Sequence, residues 1–185
     1  MNLKEYKKWL EEHANKEERQ AYEVVEEILD MHYASSFPNE QIYPRKRYEG
    51  IEFDLLILLQ DGKGHTHRVI GVEFKETDIH KVIAQAIIRK RYTDYMYIAT
   101  KPILDVGYFH IFMMCYYGIG WIVFLPDIAY PIIKSRRSGG DIDSLVNYLI
   151  EKEIEKKVDE KIEAMKDVID RKIQRRLDEW ISCQK

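Results

Sequence analysis

Two short runs of apolar residues, 51–59 and 68–75, dominate the middle of the chain and are separated by the polar stretch Asp61, Gly62, Lys63 and Gly64. Runs of this length, rich in β-branched and aromatic residues and joined by Gly-containing turn chemistry, predict a β-hairpin. Side chains along a strand switch face at every residue, so Val69, Gly71, Glu73 and Lys75 share one face and Ile70, Val72 and Phe74 the other. An acid and a lysine thus project together from an otherwise apolar strand. Asp54 interrupts the apolar run of the first strand, and the hairpin can set it beside Glu73. Burying such charges is costly unless they are paired or bind a metal.

The pattern elsewhere alternates helix and strand. A helical period runs from about Leu3 to about His32, with room for an interruption near Asn15. Leu3, Leu10, Ala14, Ala21, Val24, Val25 and Ile28 fall on one side, and Glu17 and Glu18 fall with them. Asn15 and Glu18 also fit a capping box. Ser35 to Pro38 breaks the helix, and 41–48 reads as an edge strand because Pro44 cannot donate to a ladder. Thr77 or Asp78 can cap a helix reaching about Tyr95, with Ile79, Val82, Ile83, Ala86 and Ile87 as its buried stripe. Residues 97–100 and 121–125 read as further strands. Val106 to Leu125 carries no Asp, Glu, Lys or Arg, a formal membrane-span candidate. Its Gly118 and Gly120 break favours a buried helix, a turn and a strand. From Asp141 a last helix runs to about Cys183, beyond a basic break at 134–140. The order predicts an α/β fold, a central mixed sheet flanked by helices with a long C-terminal helix, divided as 1–140 and 141–185.

Composition narrows the function classes. With 185 residues, one compact domain plus an extension is expected. The 29 basic and 32 acidic residues leave a net charge of −3, which argues against a general electrostatic binder of nucleic acid. The charged N-terminus lacks the apolar core of a signal peptide, and Cys115 and Cys183 lie far apart. Both point to a reduced, cytoplasmic protein with no membrane attachment. The six histidines show no zinc spacing, and neither a phosphate loop nor a nucleophile elbow occurs.

Asp54 followed by Glu73, Phe74 and Lys75, at the end of a strand and just before a helix, resembles the PD-(D/E)XK nuclease superfamily. Phe53 stands where the motif has proline. The resemblance covers about residues 15 to 126 and implies a restriction-endonuclease-like core. It also implies metal-dependent hydrolysis of a DNA phosphodiester, with Mg2+ or Mn2+ held by Asp54, Glu73 and the backbone carbonyl near Phe74, and with Lys75 orienting water or offsetting charge. Many members carry a glutamate on the preceding helix. Glu18 is the candidate and Glu17 the alternative. RecB-like members place a glutamine on the following helix, which Gln85 matches, with Arg89 where they carry tyrosine. A dimeric junction resolvase, or a binding or assembly protein that keeps the fold without catalysis, is the alternative.

Basic groups for DNA phosphates come from three places. Arg45, Lys46 and Arg47 lie on the edge strand, where they equally suit an edge protected by charge. Lys81 and Arg89 lie on one side of the second helix, which equally suits a solvated face. Arg136 and Arg137 lie in the basic break, which equally suits a linker. The last helix carries an apolar seam at Ile154, Val158, Ile162, Met165, Ile169, Ile173, Leu177 and Trp180. Such a seam predicts a homodimer through that helix, with almost straight pairing because its spacings approach an eleven-residue repeat.

Overall fold

The computed structural model describes residues 1–18, 20–32, 36–103, 106–139 and 141–182, excepting the side chains of 167–170 and 172–182. Helices α1 (Leu3–His13) and α2 (Ala21–Met31) precede three strands, β1 (Asn39–Tyr48), β2 (Ile51–Gln60) and β3 (Thr66–Lys75). Then follow α3 (Ile79–Arg89), β4 (Tyr95–Thr100), α4 (Tyr108–Tyr117), β5 (Gly120–Leu125), β6 (Ile128–Ile133) and α5 (Ile142–Ser182). The six strands form one mixed sheet in the order β1-β2-β3-β4-β5-β6, with β3-β4 and β4-β5 parallel and the other pairs antiparallel. The fold is α/β. The chain divides into two units, Met1–Leu145 and Val146–Lys185.

Two cores lie on the sheet, and alternation along β2 and β3 sends one set of their apolar side chains into the first. Leu55, Ile57, Leu59, Ile70, Val72 and Phe74 meet Tyr6, Leu10, Ala21, Val24, Val25 and Ile28 of α1 and α2. On the opposite face, Met96 and Ile98 of β4 and Trp121 of β5 meet Ile79, Val82, Ile83 and Ala86 of α3 and Met114 of α4. Burying so many aliphatic side chains, each worth about 1.5–3 kcal/mol, fixes the register of the hairpin. A slip of one residue would turn every apolar residue of β3 to the wrong core.

The interruption allowed near Asn15 is a turn between α1 and α2, where the Asn15 side chain accepts hydrogen bonds from the backbone N–H groups of Glu17 and Glu18. The structure departs from the sequence expectations in three places. Asp78 caps α3 as expected, but α3 ends at Arg89 and a 3-10 turn over Lys90–Tyr92 leads to β4. The charge-free helix α4 is not buried. His110 and Met114 are buried and Met113 is partly buried against the core, while Tyr108, Phe109, Ile111, Phe112, Tyr116 and Tyr117 are exposed. Finally, β6 lies in a stretch to which the pattern assigned no strand. Its Pro131 is tolerated because β6 is an edge strand.

Among the described residues no helix is long and apolar enough to cross a membrane. In the second unit, Ile150, Ile154, Val158, Ile162 and Met165 are all exposed along α5. The expected continuation of that seam at Ile169, Ile173, Leu177 and Trp180 lies outside the described side chains, as do Ser35, Gly140 and Cys183.

Candidate active site

The antiparallel register of β2 and β3 is continuous from Leu55↔Val72 toward Gln60, and its extension sets Asp54 opposite Glu73. There the backbone ladder gives way to side-chain bonds. The Phe74 amide donates to Asp54 Oδ2 at 2.8 Å, and the Asp54 amide donates to Glu73 Oε1 at 3.4 Å. Both acids are therefore clamped by each other's strand. Glu73 is 1% exposed. Burial, then the charge of Asp54, push its carboxyl up to about 9, against the opposing pull of Arg89. Burial also raises Asp54, opposed by the Phe74 amide and Arg89 and assisted by the charges of Glu18 and Glu17. Two adjacent buried carboxyls, each poorly stabilised as an anion, are a pair in need of positive charge.

On the other side of the sheet's end, the turn between α1 and α2 supplies both of its glutamates. Glu17 Oε1 accepts from Lys75 Nζ at 2.6 Å, and this bond raises the lysine's pKa. Lys75 is thus a fixed, charged donor. Glu18 is buried and takes a bidentate ion pair from Arg45, through Nε at 3.0 Å and Nη2 at 2.5 Å, while Asn15 N–H donates to Oε2. Here the cap and the site interaction coexist, but both Glu18 oxygens are committed to Arg45. Tyr6, 1% exposed, has its hydroxyl pKa raised by burial and then by the charge of Glu18, opposed by Arg45 and assisted by Asp54.

The structure redistributes the expected phosphate contacts. Arg45 turns inward. Its φ of +49° lifts it out of the β1 ladder opposite Asp54, so its guanidinium reaches Glu18, the His13 carbonyl and the Trp9 ring. Arg89 is corrected most sharply. It is not on a solvated face; its side chain is 12% exposed, and its Nε donates to the Glu52 carbonyl at 2.8 Å and forms an ion pair with Glu73 Oε1 at 2.8 Å. Arg136 donates to the Cys115 and Tyr116 carbonyls at the C-terminus of α4, and Arg137 pairs with Asp94. Both are therefore engaged within the fold. Lys46, Arg47 and Lys81 remain at the surface, Lys46 over the Tyr43 ring and Arg47 paired with Glu52. Gln85 is half-buried on α3, one turn before Arg89.

The spacing of Gln85 and Arg89 was the available signal for the Arg89 contact. Residues four apart on a helix share a face, and one that carries a residue toward the site carries the other. The Glu17–Lys75 and Glu18–Arg45 pairs join segments too far apart in sequence for any spacing to show.

Among the described residues no three His, Cys, Asp or Glu side chains converge as a metal-binding group. The oxygen donors brought together are the Asp54 and Glu73 carboxylates, and the Phe74 contact at the pair is its amide, which donates to Asp54. Such a hard set of one or two carboxylates completed by water fits magnesium or manganese rather than a softer metal.

No family model matches the chain, and no curated protein does. Its fold is similar to the solved structure of the SPO1766 protein of unknown function from Silicibacter pomeroyi, at a TM-score of 0.45 and 11% identity, over 69% of this chain and 80% of that one.

Proposed function

We propose that the protein is a metal-dependent nuclease that hydrolyses DNA phosphodiester bonds with Mg2+ or Mn2+, acting inside the cell. The observation that carries this reading is the opposition of Asp54 and Glu73 at the end of a hairpin, with Lys75 two residues on. A divalent cation held there would supply Lewis-acid polarisation of the phosphate and a water of lowered pKa. The chain's own residues do the rest. Asp54 and Glu73 are held beside each other because each accepts from a backbone amide, Asp54 from Phe74 and Glu73 from Asp54. Lys75, kept protonated by Glu17, places an ammonium where negative charge grows on the phosphoryl oxygens. Glu18 and Arg45 buttress the turn that presents Glu17.

The test is a cleavage assay on single-stranded, duplex and branched DNA with magnesium, manganese or chelator. Asp54→Asn, Glu73→Gln and Lys75→Met should each lose at least about a hundredfold in rate, in the range for removing one electrostatic group from a transition state. A wild-type protein that cuts none of these substrates with either metal overturns the reading. In that event the second reading, a DNA-binding protein without catalysis, takes its place. The specific support for it is the Arg89–Glu73 ion pair, which gives one of the two acids a protein partner.

We further propose that the protein acts as a homodimer through α5, because Ile150, Ile154, Val158, Ile162 and Met165 recur at spacings of three or four residues and are all at least 45% exposed.

A further inference from the structure

Arg89 is the residue whose placement the proposed chemistry least requires. A guanidinium is large and permanently charged, and this one is nearly enclosed, at 12% exposure, against a glutamate that is itself 1% exposed. Its Nε donates to the Glu52 carbonyl at 2.8 Å and lies in an ion pair 2.8 Å from Glu73 Oε1. It therefore bridges the second acid of the motif to the strand that carries the first. Asp54, Glu73 and Arg89 together carry a formal charge of −1 when both acids are ionised, where the two acids alone would carry −2. Arg89 thus already does the electrostatic work that a cation would do at the pair. The ion pair engages Glu73 Oε1, an oxygen that a cation between the two acids would also draw on. Arg89 is anchored by α3, whose buried face of Ile79, Val82, Ile83 and Ala86 fixes the helix to the sheet, so the contact comes from packed structure.

We propose that Arg89 is the resident counter-ion of the Asp54–Glu73 pair, and that a divalent cation binds only in competition with it, so that Arg89 sets the metal affinity of the site. This inference rests on the reading of the pair as a metal site. Binding requires the guanidinium to release Glu73, while its bond to the Glu52 carbonyl gives it a place to remain. The competition keeps the charge of the carboxylate pair half offset in the absence of metal. It also makes occupancy respond to anything that draws Arg89 away, including a substrate phosphate, for which a guanidinium is a matched partner.

The experiment measures Mn2+ binding to the full-length protein by titration calorimetry and, independently, the shift in melting temperature on adding Mn2+, for wild type, Arg89→Gln and Arg89→Lys. Removing one positive charge within a few ångströms of the cation should tighten Mn2+ binding at least about tenfold in Arg89→Gln. The same variant should melt lower than wild type without metal and recover more on adding it. Arg89→Lys keeps the charge but loses the guanidinium geometry, and is expected between the two. It carries the test if Arg89→Gln does not fold, because tightening by several-fold over wild type is then the expected result. Equal or weaker Mn2+ binding in the folded variants overturns the inference while leaving the metal site intact. Absence of Mn2+ binding in wild type and in both variants overturns the metal site itself, and this inference with it.

Discussion

His32 shows how one buried side chain can make the stability of this fold depend on pH. It is 4% exposed, and its Nε2 meets the Tyr97 hydroxyl at 2.9 Å while Nδ1 meets Arg68 Nη1 at 3.3 Å. Arginine can only donate, so Nδ1 accepts and the proton sits on Nε2. A second proton would put an N–H against a guanidinium. Burial, then the charges of Arg68 and Lys134, accordingly lower its pKa from the ordinary 6.5 to about 4. Between those values the unfolded chain binds the proton and the folded chain does not. The contribution is therefore fully present above about pH 6.5 and is lost as the pH falls toward 4, to the extent of about 3 kcal/mol at 1.36 kcal/mol per unit. Urea unfolding at pH 7, 5.5 and 4 should show this loss in wild type, and His32→Gln should flatten the slope. An unchanged slope in the variant would remove His32 as its cause.

At the scale of elements, the pattern of apolar positions was enough for the hairpin, for the edge position of β1, for the Asp78 cap and for the start of α5 at Ile142. These are features decided by residues near one another in the chain. What it could not show was decided across distance. Helix α4 reads as buried because it has no charge, yet nothing covers most of its ring-bearing face among the described residues. Arg89 reads as surface because it lies off the apolar stripe of α3. A polar side of a helix may look onto water or onto a polar site, and only the third dimension separates the two. The same holds for Gly120, which looks like a linker residue before a strand. Its α-carbon lies under the Tyr97 ring, so that an added β-carbon would fall 2.3 Å from Tyr97 Cδ1 and 2.8 Å from the Ser135 amide nitrogen. Gly120→Ala should therefore cost about 1–3 kcal/mol, the usual range for overpacking. In denaturant melts this should appear as a lower midpoint with an unchanged slope. A midpoint equal to wild type would show that Tyr97 and the 135 loop give way freely.

For the molecule as a whole, the proposed dimer is the most direct question. Helix α5 has 41 residues, about 60 Å of helix, and truncation after Ile150 removes Ile154, Val158, Ile162 and Met165 together. Sedimentation at micromolar concentration should show a dimer for the full chain and a monomer for the truncated one. A monomeric full-length chain would refute the assembly. The sheet itself has a further consequence, because its strand order is its chain order. Each strand made on the ribosome finds its partner already present, and none must be inserted later between two that have closed. The hairpin bearing Asp54, Glu73 and Lys75 is synthesised after the helices that cover one of its faces and before α3. At about 5–20 residues per second, the two acids emerge roughly one to three seconds ahead of Arg89. For that interval the nascent chain carries the carboxylate pair without the arginine that offsets half of its charge.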